Sequence, residues 1–527
     1  MSRWTGVPAA DPLSLLDSAR RSRDLEALAA GAPVDVLVVG GGVTGAGVAL
    51  DAATRGLRVA LVERHDLAHG TSRWSSKLVH GGLRYLAKGD LAVAWESAVE
   101  RDLIMRRVAP HLVATLPQLV PTTTSTTAST RALTGAGLRA ADALRRAAGT
   151  PTSVLPSPHR VDRDRALAMA PALDPDEVVG GWVTYDGRLE DDARLVVALA
   201  RTAAAYGARV LTRVEVVAHA DGAALLRDTL DGGELVVKAR RVVNATGVWA
   251  GGLDPSVHVL PSRGTHLVLR ASTLGHPTAA LTTPVPGSTS RFVFAVPQPD
   301  DDLVYLGLTD VAAPGAVPEV PVPDDDEIDW LLATASGALA RPLTRADVVG
   351  SFAGLRPLLS PSSGQDSHED GAEHDAADVS RRHAVIAHDD GLITVTGGKL
   401  TTYRRMAADT VDLVTTRPAR TRDIGLVGAA GPRDPGAPPA RDRFERRFGT
   451  EHDHVRALAD GDPAMLEPLV EGVTLTGAEV LWAVRAEGAL DVDDVLERRS
   501  RVALVPADAA RVRAAVTDLV AGAMIRG

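Results

Sequence analysis

A glycine-rich turn near the start of the chain carries the clearest chemical signal. Gly40, Gly42 and Gly45 follow directly after a short apolar run and are spaced as G-x-G-x-x-G. The first glycine permits a tight turn, the second lets the backbone approach a pyrophosphate, and the third lets the next helix pack close to a sheet. The start of that helix offers free N–H groups and a partial positive charge to phosphates. The spacing therefore predicts a phosphate-binding turn.

An acidic residue stands where a nucleotide-binding unit of this kind needs one. Glu63 ends the second apolar run of the segment 34–63, about twenty residues beyond the glycines. A carboxylate at this position accepts hydrogen bonds from a ribose and favours a ribose without a 2′-phosphate. The segment therefore predicts a βαβ unit that binds FAD or NAD rather than NADP.

Hydroxyl groups and glycines crowd the segment 71–86, TSRWSSKLVHGGLRYL. Hydroxyls and backbone N–H groups can bond to phosphates or ring heteroatoms, and glycines let the backbone pass close to a flat ring. A serine-rich loop that merely caps a helix is an equally simple interpretation of these residues alone. The candidate cofactor ligands here are Thr71, Ser72, Ser76, Lys77, His80 and Gly81.

Two later turns resemble parts of the same kind of site. The stretch VVNATGVW places Ala245 and Gly247 after an apolar strand, and LITVTGGKLTT does the same for a second glycine turn that opens a helix. There Lys399 would stabilise negative charge on a reduced flavin. Further cofactor candidates are Val214, at the end of a predicted strand, and Gly398, Leu400 and Thr401. Because turns near both ends of the chain build one site, an extended FAD fits better than NAD.

Basic residues are distributed in an informative way. Only Lys77, Lys88, Lys238 and Lys399 are lysines among the 57 basic residues, so a retained lysine suggests a need for a compact ammonium. Arginines hold phosphates bidentately, and Arg356 lies in the constrained stretch GLRPLL. Surface charge remains the simpler explanation for most arginines of this chain.

Composition excludes several classes of function. A net charge of −10 argues against nucleic acid as a partner, and the absence of cysteine excludes disulfides, thiolate metal sites and cysteine nucleophiles. No metal site is predicted. We expect no signal peptide and no transmembrane helix, and an amphipathic helix over 13–29 that packs on the core or contacts a membrane surface.

The order of the predicted elements suggests four parts. We expect an N-terminal helical extension (1–33), a discontinuous cofactor domain (34–110, 190–255 and 350–415), a substrate-binding domain (111–189 and 256–349) and a helical C-terminal domain (428–527). The fold class would be α/β, with a Rossmann-like domain, an antiparallel β-sheet domain and a C-terminal helical cap. Gly135 and Gly137 repeat the glycine spacing, but no strand precedes them, so we expect them to bind nothing.

These segments, in this order, resemble the FAD-dependent glycerol-3-phosphate dehydrogenases of the respiratory, aerobic type. The resemblance runs from about residue 12 into the last domain and is most family-specific in HGGLRYL (80–86) and GGKLTTYR (397–404). It implies non-covalent FAD and hydride transfer from C2 of sn-glycerol 3-phosphate to flavin N5. It further implies that electrons pass to a membrane quinone, menaquinone or ubiquinone, from a cytoplasmic protein bound peripherally to the inner face of the cell membrane.

The resemblance also implies roles for individual residues. Arg356 and Arg381 would hold the substrate phosphate, with Arg84 and Tyr85 nearby. Thr309 and Lys399 would line the flavin or substrate, and His266 matches a substrate-site histidine. The catalytic candidates are His80, His266, Arg356 and Lys399. The choice of base among His80, His266 and Arg356 stays open at this stage. Arg381 is followed by Arg382 and His383, where the family usually has an acid and an aromatic residue, so its position is less certain.

Three other functions are compatible with parts of this pattern. A glycerol-3-phosphate oxidase would share the fold and pass electrons to oxygen. An amine or amino-acid oxidase would share the first glycine turn but not GLRPL or GGKLTTYR. A redox-silent flavoprotein that serves as a binding module would hold FAD that no polyol phosphate reduces. The sequence is also compatible with a homodimer.

Overall fold

The structure is a computed structural model that describes residues 4–82, 85, 89–220, 222–288, 291–359, 382–433, 440 and 442–526. The strands of these residues, numbered along the chain, are β1 (Val34–Val39), β2 (Val59–Glu63), β3 (Leu78–Val79), β4 (Val113–Thr123), β5 (His159–Asp162), β6 (Val178–Leu189), β7 (Arg209–Thr212), β8 (Val214–Ala220), β9 (Ala223–Asp228), β10 (Glu234–Asn244), β11 (Val259–Arg270), β12 (Ala280–Pro284), β13 (Phe292–Gln298), β14 (Leu303–Gly307), β15 (Val311–Ala312), β16 (Val348–Leu359), β17 (His383–Ala387), β18 (Leu392–Gly397), β19 (Pro468–Val470) and β20 (Val473–Thr476).

The α-helices are α1 (Ser18–Ala29), α2 (Val43–Thr54), α3 (Leu91–Leu103), α4 (Ala128–Ala147), α5 (Arg163–Met169), α6 (Asp192–Ala205), α7 (Ala250–Leu253), α8 (Asp325–Ser336), α9 (Tyr403–Asp412), α10 (Arg443–Phe448), α11 (His452–Ala457), α12 (Gly477–Ala486), α13 (Val492–Asp494) and α14 (Pro506–Arg526). Short 3₁₀ helices at Thr71–Arg73, Gly247–Trp249 and Leu400–Thr402 follow three of the predicted cofactor turns.

The first sheet has the strand order β17-β18-β10-β1-β2-β7. Its strands are parallel except β17, and a β8-β9 hairpin extends it beside β10. Strand β1 is buried almost throughout, as expected for a parallel strand covered on both faces, and helices α6 and α9 pack against α2. The turns after β1, β10 and β18 therefore meet at one edge, where open α/β sheets bind ligands.

The second sheet has the order β15-β11-β14-β13-β12-β4-β6-β3, with β16 paired to β11 and β5 to β6. All its pairings are antiparallel except β4 with β12. The α/β fold with a second, largely antiparallel sheet is confirmed. Residues 350–359, which the domain prediction placed with the cofactor sheet, instead form most of β16 in this second sheet, because β16 pairs along the length of β11.

The C-terminal part is the helical domain that the sequence predicts, with a small β19-β20 hairpin added. Buried ion pairs hold it against the rest of the chain. Arg194 on α6 contacts Glu487 at 2.8 Å, and Arg201 contacts Glu451 at 2.7 Å. Burying such charges is unfavourable unless the two partners are well aligned. These pairs therefore favour a single orientation of this domain on the first sheet.

The N-terminal helix α1 packs on the first sheet, the more favoured of its two predicted placements. Leu28 is buried, and Arg21 bonds to the carbonyl of Thr212 and to Asp228. Among the helices of the described residues, none combines the length and the apolar character that a membrane crossing requires.

Buried histidines make the stability of the fold depend on pH. Burial, together with the nearby Arg194, lowers the pKa of His111 to about 3 from its ordinary value of 6.5. The unfolded chain therefore binds one more proton at this residue between pH 6.5 and 3, so its contribution is complete above pH 6.5 and is lost as the pH falls. In His111→Gln, we expect the free energy of unfolding to fall less steeply in that window, by about 1.4 kcal/mol per pH unit. Denaturant titrations at several pH values measure this, and an unaltered slope in His111→Gln would refute the assignment.

Candidate functional site

A cavity of about 1420 Å³ opens between the two sheets. Its lining includes the turns after β1, β10 and β18, residues of β11 and β16, and residues of the segment 69–80. Small-molecule sites usually enclose roughly 300–1,000 Å³. The cavity is therefore large enough for an extended dinucleotide and a small second ligand.

The first glycine turn has the geometry that its spacing predicts. Gly40 has a φ of 109°, a value that favours glycine, and Gly42 precedes helix α2. A Cβ at Gly45 would stand 1.9 Å from the carbonyl oxygen of Gly40, so any side chain there would push the helix off the strand. Gly40 and Gly42 line the cavity, whereas Gly45 does not line it and packs against Gly40.

Glu63 lies at the end of β2 beside this turn. Its carboxylate accepts hydrogen bonds from the N–H of Gly41 at 2.6 Å and from the N–H of His65 at 2.8 Å. Burial raises its pKa, and these two bonds oppose that effect. The carboxylate is thus fixed at the cavity wall, in the position that suits a ribose.

Some residues of the hydroxyl-rich segment 71–86 line the cavity, and others hold the segment in place. Thr71, Ser72, Ser76 and His80 line the cavity. The side chain of Lys77 points away from it: Nζ bonds to Asp192 at 2.8 Å and to the carbonyl of Arg73 at 2.6 Å, and the residue is 1% exposed. Lys77, predicted as a cofactor ligand, instead holds the loop to α6 through its ammonium group.

The two later turns lie beside the first one at the same edge of the first sheet. Val214, Ala245 and Gly247 lie on the cavity wall, as do all four candidates from Gly398 to Thr401. Lys399 directs Nζ to the Ser97 hydroxyl at 2.5 Å and lies 3.8 Å from the centre of the Tyr85 ring. The structure therefore brings turns from distant segments to one site.

A second group of polar residues lies on β11 and β16. Ser262, Gly264 and His266 occupy every second position of β11, so all three lie on one face of the strand. The missing side chain of Gly264 makes room for Arg356, whose Nη2 would be 2.1 Å from a Cβ at that position. The Arg356 guanidinium is held by Asp310 at 3.1 Å, the Ser262 hydroxyl at 3.2 Å and the carbonyl of Thr309 at 3.2 Å.

His266 is held rigidly on the same face. Its ring stacks on Phe352 at 4.7 Å, and its Nε2 lies 2.8 Å from the Ser76 hydroxyl. Burial lowers its pKa to about 3, with further lowering by the charges of Lys77 and Arg356. The imidazole is therefore neutral near pH 7 and can accept a proton.

Some predicted residues do not line the cavity. Gly81 packs against Arg101 behind it, and the Thr309 hydroxyl bonds to Glu327 at 2.9 Å. Gly45 and Lys77 have supporting places, as described above. Arg84 and Arg381 lie outside the described residues.

Sequence reasoning missed several cavity residues. Asp186 lines the cavity, pairs with Arg101 at 2.8 Å and accepts from the N–H of Gly81. Trp74 and Trp249 also lie on the wall. The tryptophans stand inside quoted motifs and could have been proposed, whereas Asp186 lies on β6 with no local pattern to mark it.

The residues present fit FAD. Two glycine turns and the fixed carboxylate of Glu63 provide a dinucleotide cradle. Trp74 Nε1 is buried without a hydrogen-bond partner among the described residues, as expected where a ligand supplies further polar atoms.

Comparisons with known proteins agree with this geometry. The family model "FAD dependent oxidoreductase" matches residues 35–404, and "C-terminal domain of alpha-glycerophosphate oxidase" matches residues 419–524. Glycerol-3-phosphate dehydrogenase 1 of Mycobacterium tuberculosis (strain H37Rv) is 50% identical over 514 residues, covering 95% of this chain and 98% of that protein. The mitochondrial glycerol-3-phosphate dehydrogenase of Mus musculus is 33% identical, covering 90% of this chain and 68% of that protein.

Solved structures show the same fold. The glycerol-3-phosphate dehydrogenase of Bacillus halodurans, complexed with FAD, matches with a TM-score of 0.70 at 25% identity and covers 97% of this chain and 96% of that one. The L-alpha-glycerophosphate oxidase of Mycoplasma pneumoniae shares the fold, with a TM-score of 0.55 at 19% identity over 75% of this chain and 99% of that one. This chain belongs to the family of FAD-dependent glycerol-3-phosphate dehydrogenases.

Proposed function

We propose that this protein oxidises sn-glycerol 3-phosphate to dihydroxyacetone phosphate and passes the electrons to a membrane quinone. One observation carries the proposal: Arg356 and His266 lie on one face of the β11–β16 pair and both line the cavity, with the Arg356 guanidinium over Gly264, two residues from His266. An anion-binding guanidinium beside a neutral imidazole suits a substrate with a phosphate and a hydroxyl group.

Each protein group has a distinct part in this proposal. Arg356 binds the phosphate, and Asp310 and Ser262 hold its guanidinium in place. His266, positioned by Phe352 and Ser76, accepts the proton of the C2 hydroxyl. FAD, when bound, accepts the hydride from C2.

Burial is the main cause of the lowered pKa of His266, and the charges of Lys77 and Arg356 lower that pKa further. A phosphate dianion on Arg356 would offset the Arg356 contribution, so the pKa of His266 would rise by that part of the shift alone.

The test is the visible spectrum of the FAD-loaded protein before and after anaerobic addition of sn-glycerol 3-phosphate. Bleaching of the oxidised flavin band is expected, whereas glycerol at the same concentration should give little change. A flavin band that sn-glycerol 3-phosphate leaves intact would contradict the proposed substrate.

The electron acceptor separates the proposal from its alternative. Leu133, Phe292 and Trp330 give the cavity an apolar flank that suits a quinone ring at a membrane surface. Stopped-flow reoxidation of the reduced protein compares a water-soluble quinone analogue with oxygen. Faster reoxidation by the quinone is expected; faster reoxidation by oxygen would favour a glycerol-3-phosphate oxidase. Peripheral attachment to the inner face of the cell membrane is tested by co-sedimentation with liposomes.

Lys399 is expected to tune the flavin. Removing its ammonium in Lys399→Met removes a positive charge from the cavity wall, so negative charge on the reduced cofactor is less stabilised. The midpoint potential should fall by roughly 30–60 mV, about 1.4–3 kcal/mol for a two-electron couple. Spectroscopic redox titration measures this shift, with the surface variant Lys238→Met as control. An equal potential in Lys399→Met and wild type would show that Lys399 does not act on the flavin.

A further inference from the structure

A cluster of two histidines and a carboxylate lines the same cavity, near Glu63, and has no part in the roles proposed above. His65 and His69 belong to the loop after β2, and Glu319 belongs to the segment between β15 and α8. One ligand atom from each residue lies within 4.8 Å of the other two. Among the described residues, this is the single such group of His, Cys, Asp and Glu side chains.

The two imidazoles converge on one carboxylate oxygen. Glu319 Oε2 lies 2.9 Å from His65 Nε2 and 3.6 Å from His69 Nε2, and the rings stack at 4.0 Å. Donor atoms on a tetrahedral zinc with bonds of about 2.0–2.1 Å are separated by about 3.3 Å. The two observed separations lie on either side of that value, but the stacked rings, inclined at 21°, must turn out of the stack before both lone pairs point at one ion.

Hydrogen bonds do not satisfy both imidazoles of this cluster. His69 Nε2 is buried and has no hydrogen-bond partner among the described residues. His65 Nε2 faces both the Arg64 Nε–H at 3.1 Å and the Glu319 carboxylate at 2.9 Å. A neutral ring nitrogen either donates or accepts, so one of these contacts is unsatisfied in each tautomer. A cation bound to the lone pairs of both rings and to Oε2 would satisfy all three atoms.

The second carboxylate oxygen is already held in place. Arg64 pairs with Glu319 Oε1, which leaves Oε2 directed at the histidines. Partners of this kind orient metal ligands in known sites. The Glu319 side chain is 54% exposed, so an ion can enter from solvent and keep a water molecule as its fourth ligand. Binding would displace the Arg64 Nε contact with His65, the His65–Glu319 hydrogen bond and the stacking of the two rings.

We propose that His65, His69 and Glu319 bind one divalent transition-metal ion, with Zn²⁺ as the best match to two imidazoles and one carboxylate. The sequence predicts no metal, because Glu319 is about 250 residues from the histidines. The ion would join the β15–α8 segment to the loop after β2 on the wall of the cavity. This inference does not depend on the proposed substrate or electron acceptor.

The test is equilibrium dialysis of the FAD-loaded protein against Zn²⁺, with bound metal measured by mass spectrometry. We expect a single ion per wild-type chain and binding weakened roughly tenfold or more in His69→Ala and in Glu319→Gln. The matched control is His276→Ala, because His276 pairs with Asp302 at 3.1 Å on the surface outside any three-ligand group of the described residues. It should bind zinc like the wild type.

Two further measurements keep the result interpretable. The FAD content and visible spectrum of each variant should equal those of the wild type, which shows that the fold is retained. X-ray absorption of the zinc-loaded wild type should show two imidazoles among nitrogen and oxygen ligands. The absence of stoichiometric zinc in the wild type, or equal binding in the His69 and Glu319 variants, would overturn the proposal. If His69→Ala loses FAD, Glu319→Gln alone decides, since its ligand atom comes from outside the cofactor loop.

Discussion

Replacing His266 with glutamine is expected to slow flavin reduction by sn-glycerol 3-phosphate by roughly 10²- to 10³-fold. Glutamine is close to histidine in size and can still bond to Ser76, but it cannot accept the C2 proton. The Kd for the substrate should change little, because Arg356 remains. Anaerobic stopped-flow measurements separate the two quantities, since the reduction rate is followed across substrate concentrations.

His80→Gln is the matched control for this prediction. His80 also lines the cavity, and the sequence left it equal to His266 as a candidate base. We expect its loss to slow reduction by less than about tenfold. A larger effect at His80 than at His266 would reverse the assignment of the base. The pH dependence adds a second criterion: in wild type the rate should fall at low pH, and this limb should vanish in His266→Gln.

Replacing Arg356 with lysine is expected to weaken substrate binding by about 3 kcal/mol, roughly a hundredfold in Kd. Lysine keeps the charge but loses the planar fork that binds two phosphate oxygens. It also loses the contacts to Asp310 and Ser262 that orient the guanidinium. The reduction rate at saturating substrate should fall much less, and the same stopped-flow series gives both values.

The Arg356 prediction has two controls, a substrate without a phosphate and a variant of a surface arginine. Glycerol lacks the phosphate, so its weak reaction should be nearly equal in wild type and Arg356→Lys. Arg341→Lys changes an arginine paired with Asp347 on the surface and should have no effect on either compound. A loss in Arg356→Lys that is as large with glycerol as with sn-glycerol 3-phosphate would mean that Arg356 does not recognise the phosphate.

The part of the fold that local patterns describe could be predicted from the sequence. The glycine turn predicted after the first apolar run is observed between β1 and α2, with Gly40 at a φ of 109°. The sheet assignment of 350–359 could not be predicted, because β16 pairs with β11 across nearly 90 residues. Glycine turns have local signatures, whereas strand partners are chosen by the whole chain.

The site divides in the same way. The glycines, Glu63 and Lys399 were recognisable because backbone approach, ribose binding and a rare lysine each leave a local mark. The sequence marked Lys77 as an unusual lysine but could not show that it pairs with Asp192, because Asp192 is 115 residues away. Asp186 and the histidine cluster with Glu319 have no local mark, because their meaning arises only where the two sheets face each other. The individual binding and catalytic roles stay predictions until the variants are measured.

The order of strands in the first sheet has a consequence for synthesis on the ribosome. Strand β10 lies between β1 and β18, and roughly 350 residues separate the end of β1 from the start of β18. At about 5–20 residues per second, translation of that interval takes roughly 20 to 70 s. During this time β1 is made but the third cofactor turn does not yet exist. The complete FAD-binding surface therefore exists only when most of the polypeptide has emerged from the ribosome. Cofactor binding is thus a late step in the maturation of each molecule.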